Sequence, residues 1–171
     1  MKTHTVWIGA GSNHGDRLHL LQQAAEQLTE AGITVIRTSS IYETEPVGFM
    51  AEQQFLNAVF ECKTSLDPNG LLEELLQIET ALGRKRSGLA RYESRTMDLD
   101  LLFFEKEVIN THNLCVPHPL LHTRMFVLAP LNELIPHFEH PLLLRSVEQL
   151  YEQSVDQNPV VIYQKPFSAY Q

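Results

Sequence analysis

The sequence predicts an α+β fold of the ferredoxin-like type, a split βαβ sheet with helices on its faces and a C-terminal extension. Two observations carry this expectation. Two segments repeat apolar residues at helical spacing behind recognisable start signals, and four segments are rich in β-branched and aromatic residues. Their order along the chain is strand, helix, strand, strand, helix, strand, which is the split arrangement. At 171 residues the chain suits one core, so residues 1–171 are expected to form a single domain.

The first strand is HTVWIGA, from His4 to Ala10. GSNHGD reads as a tight turn built on Gly9, Gly11 and Gly15, whose spacing is not that of a dinucleotide-binding loop. A helix follows from about Asp16 to Ala31, with Leu18, Leu21, Ala25 and Leu28 on one stripe. ITVIRTSSIYET, from Ile33 to Thr44, alternates and is β-branched, so it reads as one second strand. Pro46 and Gly48 mark a loop, after which Phe55 to Thr64 forms a third strand.

Asp67 and Pro68 open a second helix whose stripe includes Leu71, Leu75, Ile78 and Leu82, and Gly83 is its stop signal. RKRSGLARYESR reads as a basic loop, and TMDLDLLFF as the fourth strand. Downstream, EVIN and LCVP resemble a short paired addition to the sheet, and RMFVLAPLNEL and LLRSVEQLYEQ suggest two further helices.

The formal net charge of −8 argues against nucleic acid or an anionic membrane surface as a partner. The start of the chain lacks the apolar core of a signal peptide, and no run approaches a membrane span, so a cytoplasmic location is expected. Cys62 and Cys115 show no metal or redox spacing and are expected to be reduced and buried. Five of the 13 basic residues, Arg84, Lys85, Arg86, Arg91 and Arg95, fall within one short stretch, which suggests a local anion site or a solvated basic loop.

Asp98 and Asp100 are the most informative pair. In a strand they project from one face while Met97, Leu99, Leu101 and Phe103 project from the other. Two carboxylates beside an apolar layer need a compensating cation, and two hard oxygen donors suit Mg²⁺; pairing with Arg95 at a solvated strand end satisfies them equally. His112, His118, His122, His137 and His140 are near one another in sequence, but Pro119 and Pro141 interrupt any helical ligand spacing and argue against zinc. Neither a P-loop nor a nucleophile elbow is present.

Taken in order, GSN, YETEPVGF, FLNAV, LGRKR, RTMDLDLL, VPHP and RMFVLAPL run through nearly the whole chain. This succession resembles the 6-hydroxymethyl-7,8-dihydropterin pyrophosphokinases of folate biosynthesis. The resemblance implies attack of the pterin hydroxymethyl oxygen on the β-phosphorus of ATP, giving AMP and the pterin diphosphate. It also implies two Mg²⁺ ions held by Asp98 and Asp100, and phosphate contacts from Arg84 and Arg95, assisted by Arg86 or Arg91. His118 and Arg124 would touch the nucleotide from the other side. Thr44, Pro46, Val47, Phe55, Asn57 and Phe126 would form the pterin site, where a flat heterocycle wants stacking on its faces and a paired donor and acceptor on its rim. The partners implied are ATP and the reduced pterin, with the protein acting as a monomer.

Two departures accompany the resemblance. The loop reads RYESR, with Tyr92 and Glu93 where the family usually has Trp and a small residue, and Phe55 stands where Tyr is usual. Competing readings are another Mg²⁺-dependent phosphoryl or nucleotidyl transferase, and a non-catalytic ferredoxin-like binding module.

Overall fold

In the computed structural model, residues 1–45, 53–83 and 96–171 are described. The main sheet is built on β1 (His4–Ser12), which pairs antiparallel with β4 (Phe55–Thr64) on one side and β5 (Asp98–Phe104) on the other. The far side of β4 carries β2 (Ile33–Thr38) and β3 (Ile41–Thr44). Strand order from β5 through β1 and β4 to β2 and β3 is the split βαβ order expected from the sequence.

Two helices cover one face. Helix α1 (Arg17–Glu30) starts where Asp16 accepts from His19 N, and α2 (Pro68–Ala81) starts where Asp67 accepts from Gly70 N. Leu21, Ala24, Ala25 and Leu28 of α1, with Leu71, Leu75 and Ile78 of α2, pack on Val6, Ile8, Phe60 and Leu99. The second helix ends as the sequence predicts, with Gly83 at φ +91°, a conformation glycine adopts without a Cβ penalty.

The opposite face carries α3 (Met125–Leu134) and α4 (Val147–Glu152). Val127, Leu128, Leu131, Val147 and Leu150 pack there on Trp7, Val59, Leu102 and Phe103. Trp7 also donates Nε1–H to Glu61 at 3.1 Å, and Arg37 donates to the same carboxylate at 2.8 Å.

Several expectations need correction. The segment 33–44 is two strands, because Ser39 and Ser40 turn from the ladder to other partners. Ser39 Oγ donates to Ser40 O and accepts from Val59 N, while Ser40 N and Oγ donate to Glu133 on α3. The first strand runs on to Ser12, so Gly9 and Gly11 are strand residues and only Gly15 lies in the turn, at φ +78°. Phe103 does not face the α1/α2 side. Trp7 pairs with Phe103 while Ile8 pairs with Leu101, so Leu102 is an extra residue and the bulge turns Phe103 toward α3.

The EVIN and LCVP segments do pair, as β6 (Ile109–Asn110) and β7 (Cys115–Val116), but as a separate two-stranded sheet. Cys115 is exposed, whereas Cys62 is buried. The last helix is shorter than its segment suggests, because Ser146 and Gln149 form a capping box that starts it at Val147. A further strand unforeseen in the sequence, β8 (Val160–Gln164), pairs antiparallel with β3 and extends the sheet edge. Among the described residues, no helix is long and apolar enough to cross a membrane.

Candidate active site

Helices α3 and α4 cover only part of their face, and the rest is a cleft of about 430 Å³. Its floor is set by strand register. On β1, Gly11 lies between Asn57 of β4 and Asp98 of β5, and Gly9 lies between Val59 and Asp100. Paired residues share a face, so the two glycines leave a bare channel with an amide on one bank and two carboxylates on the other. A Cβ at Gly11 would stand 2.8 Å from Asn57 Oδ1, closer than side chains tolerate.

On the β4 bank, Asn57 is buried and donates Nδ2–H to Thr44 Oγ1 at 2.8 Å. That bond uses one amide proton and leaves Oδ1 beside Gly11. Thr44 pairs with Phe55, and both line the cleft with Asn57. On the β5 bank, the strand is held from behind by Glu79 of α2, a buried carboxylate that accepts from Leu99 N at 2.8 Å, between the two aspartates. The wall opposite the floor comes from the start of α3, where Arg124 and Phe126 line the cleft with the guanidinium carbon 5.6 Å from the ring centroid.

His118 follows a cis Val116–Pro117 bond. Its N–H donates to Leu102 O at 3.0 Å, and its Nδ1 accepts from Leu120 N at 3.2 Å, so Nε2 carries the proton. Burial and then the Arg124 charge hold the imidazole below the ordinary histidine range, with Asp98 pulling the other way. A neutral donor therefore stands beside the cleft at neutral pH.

Of the sequence-predicted site residues, Thr44, Phe55, Asn57, Asp98, Asp100, Arg124 and Phe126 meet in this cleft, with His118 close enough to feel Asp98 and Arg124. Pro46, Val47, Arg84, Arg86, Arg91 and Arg95, together with Tyr92 and Glu93, lie outside the described residues. Sequence reasoning missed Gly9 and Gly11 as the floor, Glu79 as a brace, and Val155, Asp156 and Asn158 as wall residues. Glu79 had a visible signal, an acidic residue on the apolar stripe of α2.

In an α+β fold, a pair of sheet-borne carboxylates thus faces a buried amide across a bare strand, with an aromatic ring in the opposite wall. The chain belongs to the 7,8-dihydro-6-hydroxymethylpterin-pyrophosphokinase family, whose pattern it matches over residues 7–136. It is 51% identical over 135 residues to the 2-amino-4-hydroxy-6-hydroxymethyldihydropteridine pyrophosphokinase of Bacillus subtilis, covering 78% of this chain and 80% of that one. The corresponding Aquifex aeolicus protein is 38% identical over 85% of this chain and 89% of its own length. An Arabidopsis thaliana folate synthesis bifunctional protein is 43% identical, but the match spans 27% of its length. In fold, the chain is similar to a Plasmodium falciparum HPPK-DHPS crystal structure with pteroate at a TM-score of 0.72 and 17% identity, over 89% of this chain and 41% of that one.

Proposed function

We propose that the bare channel of β1 is where the two substrates meet. As a member of this family, the chain is a pyrophosphokinase that transfers the pyrophosphoryl group of ATP to 6-hydroxymethyl-7,8-dihydropterin, a step of folate biosynthesis. The observation that carries the site assignment is the register that sets Asn57 and Asp98 on either side of Gly11. It brings a heterocycle-reading amide and a cation-holding carboxylate to one patch with no side chain between them.

On this reading the pterin lies on the β4 bank. Asn57 and Thr44 read its polar rim, Phe55 and Phe126 contact its faces, and Pro46 and Val47 complete the site. The triphosphate lies on the β5 bank, where Arg124 and the neutral His118 offer donors. Arg84 and Arg95, with Arg86 or Arg91, supply further positive charge, and Asp98 and Asp100 hold Mg²⁺. The donor set fits that ion, since both carboxylates are hard oxygen donors, lie two residues apart on one strand and line the cleft. Bound there as two ions, magnesium would neutralise the phosphates and template the in-line displacement. The residues themselves orient the hydroxymethyl oxygen toward the phosphate and shut bulk water out of the channel, an entropic and electrostatic contribution.

Residues 1–171 act as one catalytic unit in this proposal, monomeric and cytoplasmic. The test is product analysis with ATP, Mg²⁺ and the reduced pterin for wild type, Asp98→Ala and Asp100→Ala. Wild type forms AMP rather than ADP. Each variant loses at least about a hundredfold in turnover while still binding pterin. A variant keeping more than about a tenth of wild-type activity at saturating Mg²⁺ refutes the metal assignment.

A further inference from the structure

Beyond residue 136, where the family match ends, the chain returns to the cleft. Residues 155–158 cross from the end of α4 to β8, and Val155, Asp156 and Asn158 line the cavity. This segment is tied at both ends to elements that carry proposed pterin contacts. At one end, Val160 of β8 pairs with Thr44 of β3. At the other, Asp156 Oδ2 accepts from Met125 N at 2.8 Å. Met125 is the first residue of α3 and lies between Arg124 and Phe126.

The start of α3 needs such a partner. Its N-cap residue is Arg124, whose side chain makes no capping hydrogen bond; Arg124 O takes Val127 N and Leu128 N, which leaves Met125 N, the first helical N–H, to find its acceptor in another segment. Asp156 fills the role from 31 residues away. Its other oxygen, Oδ1, accepts from Asn158 N at 3.0 Å and Asn158 Nδ2 at 2.6 Å, which fixes the direction of the carboxylate.

We infer that Asp156 is a positioning residue for the pterin site, holding the first turn of α3, and with it Phe126, against the Thr44 and Asn57 bank. The inference rests on the reading of Phe126 as a pterin contact. Asp156 carries its negative charge where it caps a helix start, and the charge is favourable there. Burial alone would raise its carboxyl, but the N–H groups of Met125 and Asn158 outweigh burial and hold it below the ordinary range. The acceptor is therefore ionised throughout the pH range in which the enzyme is assayed.

The consequence is a split between binding and turnover. Asp156 does not reach the reacting phosphates in this scheme, so its loss loosens the pterin wall and leaves the chemical step in place once the site is filled. In Asp156→Ala, pterin Kd measured with Mg²⁺ and a non-hydrolysable ATP analogue rises about fivefold, the usual scale of a lost N-cap, and kcat at saturation stays within about twofold. The effect must pass through Phe126, so a double-mutant cycle with Phe126→Ala is non-additive, and Asp156→Ala then changes the Kd by less than about twofold. Ser146→Ala is the control, because it removes a cap of the same kind from α4 without touching the cleft, and it leaves the pterin Kd unchanged.

The outcomes separate the two ideas. If Phe126→Ala alone binds pterin as well as wild type, the pterin-site reading fails and the inference falls with it. If Phe126→Ala weakens pterin but Asp156→Ala does not, or if the two effects multiply, the site reading stands and the positioning role is overturned. Equal weakening by Ser146→Ala and Asp156→Ala also overturns it, by showing that general loosening of the C-terminal segment is sufficient.

Discussion

Replacing Gly11 by alanine places one methyl group at the narrowest point of the channel. Its Cβ would lie 2.8 Å from Asn57 Oδ1, against about 3.4 Å for an ordinary contact, so Asn57 must move. The backbone has no reason to follow, because Gly11 is paired on both sides, with Asn57 and with Asp98. The side chain of Asn57 is the soft element, but its Nδ2 is committed to Thr44 Oγ1 at 2.8 Å. Rotating it away breaks or strains that bond, at a net cost of about 0.5–1.5 kcal/mol. It also moves the amide proposed to read the pterin rim, so pterin affinity is expected to fall about three- to tenfold. Global stability moves less, because the strained contact is offset by the reduced unfolded-chain entropy of alanine, worth about 0.4–1 kcal/mol. The assay is a pterin titration with Mg²⁺ and an ATP analogue, beside a thermal melt. Gly9→Ala is the comparison, since the atoms nearest its Cβ belong to Leu102, at an ordinary 3.5 Å, and not to Asn57. If Gly11→Ala binds pterin within about twofold of wild type, or no worse than Gly9→Ala, the channel argument is wrong.

Asn57→Ala is expected to weaken pterin by about 1–3 kcal/mol and the ATP analogue much less, and calorimetry with each ligand decides it; equal losses point to a misfolded site. Glu133→Ala removes the acceptor of Ser40 N, Ser40 Oγ and Tyr42 OH, so the urea midpoint falls and the Tyr42 phenol, raised by burial and by Glu133, titrates lower in an ultraviolet scan. His140 accepts from Leu142 N and Leu143 N through Nδ1, and burial and His122 hold its pKa below the ordinary 6.5. The unfolded chain therefore takes up the proton first as pH falls, so stability present above about pH 6.5 is lost below it. Urea midpoints at about pH 5 and about pH 8 measure this slope, and His140→Asn, which keeps an acceptor for the turn, makes it shallower.

The helices and the strand order were legible because each rests on local signals. Asp16 and Asp67 cap their helices through bonds to N–H groups three residues on, and the buried stripes follow the 3.6-residue period. The break at Ser39 and Ser40 was not legible, since it depends on Glu133, more than ninety residues away. The bulge at Leu102 is set by packing against α3, and no residue in DLDLLFF announces it. VVIYQ carried a β-branched signal, but a two-sided edge strand this exposed shows little alternation, and its role is visible only through its pairing with β3. Of the residues that line the cleft, Asp98, Asp100 and Asn57 had been singled out by residue type and motif order, whereas Val155, Asp156 and Asn158 follow from tertiary approach alone.

Gly9 and Gly11 illustrate why the same residue type supports opposite readings. In sequence, Gly9, Gly11 and Gly15 together suggest a turn, and one of them, Gly15, is in a turn with positive φ. The other two are placed in a central strand, where glycine ordinarily weakens packing and needs a reason. The reason is spatial. Ala10 between them faces the α1/α2 core and is buried, so the strand alternates side chain inward and none outward. A β-branched residue at either position would satisfy strand propensity and fill the channel between Asn57 and Asp98 or between Val59 and Asp100. The strand gives up packing on one face so that its neighbours' side chains have an open floor between them. The core on the other face, with α1 and α2 across Val6, Ile8 and Ala10, keeps that floor in place.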